Sequence, residues 1–507
     1  YQFLNASLDY ERKKAQQEAQ DILTRAKQQA RRQKIVGIIF SLVALIAGGW
    51  ATWQILNLRS QRYADLQRRI SLGEDILLNP NLDKRAGAKQ FAQGNFTVAA
   101  QSFQRSRQEL PQDPETLIYQ NNARLINLNP VTIAVSVPIG KNKAVAQQML
   151  RGVAQAQQEV NQDCKPAQLI VSCGIRGRPL QIKIVNDDND PEIARELAAV
   201  LIKDSSILAV VGHNASDVSR PAAKIYQHRL VMISPTSFSV DFREITSSQD
   251  NYRDNYIFRT IPGIKHNVQS LVKHIAQSVN QPKILICYDS EADDNHSFKK
   301  EFSKFAHKID MVDLDCDLSN PNLDYQQIIN QGIQHQANSL LLAPHVDRIN
   351  EAIKIAKINY QRGEQKLRLF SSPSLYTSQT LEDELGREAV IGMQMAVAWH
   401  PEAKIDRNFR EQAQKLWKTN LNYKIVTWRT AMSYDATQAI VQGLSKQSHF
   451  TRSILQKALS EPEFSFSGAT GLVQFEHGER IEKNALLVEI QSSNNSETDA
   501  DFVLLAN

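Results

Sequence analysis

Two polar turns that follow apolar runs carry the residue types best suited to binding chemistry. The run at residues 207–212 leads into a turn where a helix is predicted to begin, and the next run ends at Ser234 in a second polar turn. Free N–H groups at a helix start and nearby hydroxyls attract carboxylates and other anions. The spacing predicts one anion-binding crevice lined by Asn214, Ala215, Ser216, Thr236, Ser237 and Phe238. For Ser216, capping its own helix is the alternative role.

A run of acidic and amide side chains at residues 186–190 could hold calcium or supply catalytic carboxylates. Such runs after a strand more often turn the chain and cap the next helix, which is predicted to start near Pro191. Capping is therefore the favoured interpretation, and we expect neither a metal nor a cofactor.

The cysteines at positions 164, 173, 287 and 316 do not form the paired spacing of a zinc site. In an oxidising compartment, Cys164 and Cys173 could close a short loop, and Cys287 and Cys316 could form a second disulfide. Buried free thiols are the alternative. The sequence also lacks a nucleophile elbow, a phosphate-binding loop, a dinucleotide fingerprint and a zinc-protease motif, so no enzyme is predicted.

The net charge of +5 is unevenly distributed along the 507 residues. Residues 1–69 contain 12 basic and 5 acidic side chains, whereas the remainder contains 47 basic and 49 acidic ones. Nucleic-acid binding requires a basic patch on the folded body, and the charge count offers none.

Residues 35–58 contain no charged side chain and are long enough to cross a bilayer. Trp50 and Trp53 stand near one end, as interfacial anchors do. Eight basic residues precede the run and four follow it closely, which predicts a basic cytoplasmic helix at 1–34 and an extracytoplasmic remainder. The expected location is the plasma membrane, with a single span and the larger part in the periplasm. Because 34 residues precede the run, an uncleaved anchor is favoured over a signal peptide.

Residues 59–128 are predicted to form a helical stalk. Gly87, Gly94, Phe96, Ala99 and Phe103 have spacings at which small residues allow close helix packing and aromatic rings fill the space between helices. The segment resembles one tetratricopeptide repeat, but about three copies are needed for independent stability. A spacer is favoured over a peptide-binding surface.

From Val131 onward, short apolar runs alternate with segments of helical length, the pattern of βα units around mainly parallel sheets. Candidate strands lie at 131–137, 180–187, 207–212, 230–234, 284–288, 311–315, 339–343, 367–371 and 390–398. So long a region predicts two α/β lobes with a ligand cleft between them. Glycines punctuate a hairpin near 465–490, and residues 491–507 are interpreted as a polar tail.

Several segments in a fixed order resemble the periplasmic leucine/isoleucine/valine-binding family, the type 1 solute-binding proteins of ABC transporters. They are VGHNASDVSRPAAKIYQHRLVMISPTS, YIFRTIPG, ILICYDSEADDNHSF, AVIGM, SYDA and FSGATGLVQFEHGER. The resemblance covers residues 130–490 and implies two lobes that close on a ligand by hinge motion. It places lobe one at 130–258 and 400–462, and lobe two at 262–398 and 465–490.

The resemblance implies that Ser216 holds a ligand carboxylate and that the backbone at Thr236 contacts the ligand. Phe238 stands where the family has a threonine, and Ile391 where it has the glutamate that pairs with a ligand ammonium. After the pair formed by Tyr288 and Asp289, His296 replaces a pocket tyrosine. Losing these polar contacts disfavours ordinary branched-chain amino acids, since an unpaired ammonium is costly to bury.

These features predict a membrane-anchored, extracytoplasmic solute-binding protein that captures a small amino-acid, amide or urea-like molecule. Its partner would be an ABC permease. Two alternatives remain open: a ligand-sensing ectodomain coupled to an upstream signalling domain, and a degenerate binding fold used as an interaction scaffold.

Overall fold

The computed structural model describes residues 2–164, 173–239, 254–382, 384–403, 407–418, 425–481, 485–493 and 500–505. Side chains at 2–7, 37–39, 42–47, 51 and 407 lie outside this description. The chain divides into two compact units, residues 1–67 and 68–507.

The first unit is occupied by one long helix, α1 (Gln2–Arg68). Over the part that the structure describes, no helix is both long and apolar enough to cross a membrane. Part of the predicted span at 35–58 lies outside the described side chains. The exposed side chains that are described there include Phe40, Trp50 and Trp53.

The second unit contains two sheets, each flanked by helices. Lobe one has six strands in the order β1-β3-β2-β4-β5-β6, in which only β1 runs antiparallel to its neighbour. The strands are β1 (Ile70–Ser71), β2 (Val131–Val137), β3 (Leu180–Asn186), β4 (Ile207–Val211), β5 (Val231–Ser234) and β6 (Ile257–Arg259). Every residue of β2 is buried, as expected of a parallel strand covered on both faces.

The helices that accompany lobe one come from both halves of the chain. They are α2 (Leu82–Ala92), α3 (Phe96–Glu109), α4 (Pro114–Leu125), α5 (Lys143–Val160), α6 (Pro191–Leu201), α7 (Ser216–Tyr226), α13 (Arg407–Trp417), α14 (Trp428–Ser445) and α15 (Arg452–Ser460). Helices α5 and α14 approach closely because Gly152 has no side chain. A Cβ there would lie 2.0 Å from the Thr430 carbonyl oxygen.

Lobe two has its main sheet in the order β17-β16-β12-β11-β10-β7-β8, with β9 paired to β7. The strands are β7 (Lys283–Tyr288), β8 (Asp310–Met311), β9 (Cys316–Asp317), β10 (Ser339–Ala343), β11 (Arg368–Ser371), β12 (Gln394–Val397), β16 (Leu486–Ser492) and β17 (Ala500–Leu504). Its helices are α8 (Ile264–Ser278), α9 (Asp293–Phe305), α10 (Tyr325–Gln334), α11 (Ile349–Tyr360) and α12 (Glu384–Val390).

The predicted stalk belongs to the folded body rather than forming a separate spacer. Helices α2 and α3 make the expected hairpin, with Phe103 packed against Gly87. Asn122 on α4 exchanges two hydrogen bonds with the backbone of Ile182 at 2.7 and 3.1 Å, and β1 extends the sheet of lobe one. The resemblance to a tetratricopeptide repeat stays a prediction.

Two boundaries at the C-terminal end also differ from the prediction. Strands β13 (Ser465–Gly468), β14 (Gly471–Glu476) and β15 (Glu479–Arg480) form their own small sheet. This sheet joins lobe one rather than lobe two, because the Arg259 N–H donates to the Gly478 carbonyl at 2.8 Å. Residues 491–507 are not simply a tail, since β17 pairs with β16 and buries Phe502.

Candidate functional site

The two polar turns predicted from the sequence lie side by side at the edge of the lobe one sheet. Strand β4 ends at Val211 and is followed by α7, which begins at Ser216, while β5 ends at Ser234. The Thr236 hydroxyl donates to the Asn214 carbonyl at 2.7 Å and ties the two turns together. Parallel strands bring their carboxyl ends to the same edge, so this pairing follows from the topology.

Three donors in these turns converge on one carboxylate, and we call them the cradle: Ser216 N–H, Ser216 Oγ–H and Phe238 N–H. The carboxylate belongs to Asp294 in the first turn of α9, on lobe two. Ser216 donates from its hydroxyl at 2.5 Å to one carboxylate oxygen and from its N–H at 2.9 Å to the other. Phe238 N–H donates to the first oxygen at 3.1 Å. A side chain of the protein itself therefore occupies the predicted anion-binding crevice.

This contact is isolated from solvent. Asp294 is 6% exposed, and Ser216 is fully buried. Burial raises the pKa of Asp294, although the bonds from Ser216 and Phe238 oppose that shift by favouring the charged form.

Very little empty space remains around the carboxylate. The cavity beside it measures about 20 Å³, which is room for about one water molecule and not for an amino acid. Both lobes line it, through Asn214, Ala215, Thr236, Phe238, Asp294, Asn295, His345, Val346, Ser374, Trp428 and Arg429.

Further direct bonds join the lobes around this cavity. Arg429 on α14 is 1% exposed and donates to the carbonyl of Tyr376 at 2.8 Å. Gln148 donates to Thr377 Oγ1 at 3.2 Å, and Asn142 donates to the Val346 carbonyl at 2.8 Å. The two lobes are thus closed on each other.

A cluster of titratable side chains lies next to the cradle. Asp217 on α7 faces His345 of lobe two at 3.7 Å, and His345 also lies 3.5 Å from Asp347. Burial raises the pKa of Asp217 to about 6, although His345 opposes the shift. Asn189 from lobe one donates to Asp347 at 3.2 Å and links the cluster to the other lobe.

Most of the predicted lobe one residues belong to the site. Asn214, Ala215, Thr236 and Phe238 line the cavity, and Ser216 supplies two of the three cradle donors. Ser237 lies behind them, where its hydroxyl donates to the Asn214 carbonyl at 3.3 Å.

Three other predicted residues lie elsewhere. Ile391 is 41% exposed just after α12, and His296 is exposed on α9. Tyr288 ends β7 with the Lys299 ammonium 3.8 Å from its ring centre. None of the three lines the cavity. The register explains His296, because Asp294 and Asn295, earlier in the same helix, are the residues that face the cleft.

The residues that sequence reasoning missed come mainly from lobe two and α14. They are Asp294, Asn295, His345, Val346, Ser374, Trp428 and Arg429. A usable signal existed for His345, which follows strand β10 at its carboxyl end, where ligands bind in such sheets. Asp294 resembled an ordinary acidic residue in the first turn of a helix.

A larger surface groove of about 520 Å³ lies apart from the cradle, between the loop after β2 and helix α11. Its charged lining includes Lys141, Lys143, Lys354 and Lys357. We assign the site to the smaller cavity, because buried donors there converge on one group, whereas the groove presents mostly flexible surface side chains.

Neither the acidic run nor the cysteines form a metal site. Asp190 caps α6 by accepting from the N–H groups of Glu192 and Ile193, as the sequence indicates. Among the described residues, no group of His, Cys, Asp and Glu side chains could hold a metal ion. The cysteines are paired as Cys164–Cys173 and Cys287–Cys316, with Cα atoms 4.7 and 4.6 Å apart.

Comparison with known proteins bears on the body of the chain. A family described as "Periplasmic binding protein" matches residues 130–496. A Pseudomonas aeruginosa protein described as "Amino acid binding protein" is 30% identical over 112 residues, which are 22% of this chain and 28% of that relative.

Solved structures show the same fold at low sequence identity. A substrate-binding protein of an ABC transporter from Desulfitobacterium hafniense, in complex with Leu, is 19% identical with a TM-score of 0.57. The match covers 74% of this chain and all of that one. A solute-binding protein from R. palustris in complex with 4-hydroxybenzoate is 15% identical with a TM-score of 0.58, over 73% of this chain and 95% of that one.

Proposed function

The chain belongs to the periplasmic binding protein family, and we propose that it captures a small ligand through a carboxylate group held in the cradle. It is a solute-binding protein that resembles the binding component of branched-chain amino acid ABC transporters. The observation that carries the proposal is the convergence of Ser216 N–H, Ser216 Oγ–H and Phe238 N–H on one carboxylate. Charge-assisted bonds of this kind are about twice as strong as neutral ones.

The ligand class follows from the donors. All three donate and none accepts from the bound group, so the cradle favours an anion over an amide or urea. The ligands named for two similar structures, leucine and 4-hydroxybenzoate, each carry a carboxylate. Because Ile391 lies outside the cavity, we propose no side chain for binding an α-ammonium.

We place the binding domain outside the cytoplasm, anchored by the apolar part of α1. Support comes from the uncharged run at 35–58, from exposed Phe40, Trp50 and Trp53, and from the two disulfides. Disulfides persist in oxidising compartments such as the periplasm. The proposed activity is reversible binding without covalent chemistry, with an ABC permease as the partner or, alternatively, an upstream signalling domain.

One observation favours a second candidate, a binding fold retained as an interaction scaffold. The cavity holds about 20 Å³ and its carboxylate subsite is already occupied by Asp294. A scaffold would need no ligand and would remain closed.

Thermal unfolding of the full chain in detergent, with and without millimolar leucine, isoleucine or 4-hydroxybenzoate, separates these candidates. A ligand that binds only the native state raises the melting temperature. We expect a rise with at least one carboxylate, its loss in S216A and its retention in S219A, a matched buried serine on α7. No rise in wild type or in a variant with an emptied cradle would contradict solute capture and favour the scaffold.

A further inference from the structure

We propose that Asp294 is an internal ligand of the cradle: it holds the empty lobes closed, and an external carboxylate binds only when the lobes part. This inference rests on the proposed function in one respect, namely that the cradle is the carboxylate subsite. It adds a regulatory device, because the protein then competes with its own ligand.

The contacts of Asp294 are those of a ligand rather than of a helix cap. A carboxylate in the first turn commonly serves its own helix. Here the N-terminal cap position of α9 is Ala292, which makes no side-chain cap bond, and both carboxylate oxygens of Asp294 accept from lobe one. The acceptor thus reaches across the cleft to the N-terminal end of another helix, α7.

Simultaneous occupation by Asp294 and a ligand carboxylate is excluded on two grounds. The neighbouring cavity of about 20 Å³ cannot contain a second carboxylate-bearing molecule. Two carboxylates sharing the same donors would also repel each other unless one were protonated. An incoming ligand must therefore displace Asp294.

Displacing Asp294 requires movement of the lobes, because neighbouring contacts on the same two helices join them as well. Arg220 on α7 lies 2.7 Å from the carboxylate of Asp293 on α9. Ser239, beyond the second polar turn, shares a 3.0 Å hydrogen bond with Ser297 of α9. Helix α9 therefore acts as one latch whose central contact is Asp294.

Chemical rescue tests the internal ligand without knowledge of the physiological solute. D294A removes the carboxylate and leaves a space of about that size, which formate can fill. Using the full chain, we expect formate at tens of millimolar to raise the melting temperature of D294A in a saturable way. Wild type should show no such rise, because its cradle is occupied.

Three controls make the rescue specific. Formamide, which is neutral and similar in shape, should not stabilise D294A. The double variant S216A/D294A should not respond to formate, since a cradle donor is missing. D293A, a change at the neighbouring carboxylate, should behave like wild type. D294S replaces D294A if the alanine variant does not fold.

The inference is overturned if formate stabilises wild type and D294A equally, or leaves both unchanged. These results separate it from the proposed function. A solute that stabilises wild type through Ser216, without formate rescue of D294A, would retain solute capture and refute the internal ligand. Formate rescue with no solute bound by either protein would retain the internal ligand and refute solute capture.

Discussion

Two buried aspartates accept similar sets of hydrogen bonds but join different parts of the molecule. Asp435 on α14 accepts from the N–H groups of Ala469 and Thr470 at 2.6 and 3.2 Å, and Arg480 lies 3.5 Å away. All of these residues belong to lobe one. Asp294 instead belongs to lobe two, while its donors lie on lobe one.

The difference separates a structural carboxylate from one suited to switching. A hinge motion leaves Asp435 and its donors together, since they move as one body. The same motion breaks every bond that Asp294 makes. Burial and hydrogen-bond count are alike for the two residues, so only the placement of donors relative to the lobes distinguishes their roles.

The largest expected effect belongs to Asp435. D435N leaves the buried Arg480 without its carboxylate, which should lower the free energy of unfolding by about 3–5 kcal/mol. Urea unfolding followed by circular dichroism measures this loss. The distance between the lobes should not change in the folded variant, and an opened cleft would contradict the structural role.

The pH dependence at the cleft comes next in size. The pKa of Asp217 is raised to about 6 from an ordinary value of 3.8, so the folded state holds this proton more tightly than the unfolded chain does. Its contribution to stability is therefore full below about pH 4 and is lost as the pH rises through about 6, a change of roughly 2–3 kcal/mol.

The variant D217N removes this titration. Groups facing Asp217 include His345, Asp293 and Asp294, so the difference between wild type and D217N is the informative quantity. Urea unfolding between pH 4.5 and 7.5 should show wild type losing stability relative to D217N as the pH rises. A difference independent of pH, or one of opposite sign, would contradict the raised pKa.

A smaller effect on stability is expected for Asp294. D294N keeps the shape but directs an amide N–H₂ toward cradle donors, so about 1–3 kcal/mol of unfolding free energy should be lost. Unlike D435N, this variant should also open the cleft, which small-angle scattering or limited proteolysis would detect. If D294N matched D435N in stability and left the lobes closed, the two aspartates would not differ in role.

The smallest effect is expected at Asp293, which neighbours Asp294. Its partner Arg220 is 36% exposed, and partly exposed ion pairs contribute about 0–1 kcal/mol. D293N should therefore change the unfolding free energy by less than about 1 kcal/mol. A loss as large as that of D294N would show that the whole latch, and not the cradle contact, holds the lobes.

The sequence was most informative where one strand runs directly into one turn. Strands β2, β4 and β10 were predicted within a residue, because their apolar, β-branched runs are buried on both faces. The lobe one half of the site was predicted for the same reason, since its residues continue two such strands.

Features that depend on distant packing could not be predicted. Strand β1 has only two residues, too few for a periodic pattern, yet it helps to attach the predicted stalk to lobe one. The position of Asp294 against Ser216 depends on closure of two lobes 78 residues apart in sequence. No local pattern in either segment indicates that contact.

The distance between the lobes in the ligand-free protein tests the central claim most directly. Spin labels at K203C on lobe one and K308C on lobe two, both exposed positions, allow double electron–electron resonance on the full chain. We predict one short, narrow distance in wild type and a longer, broader distribution in D294A. Identical distributions in the two proteins would show that Asp294 does not hold the empty lobes closed.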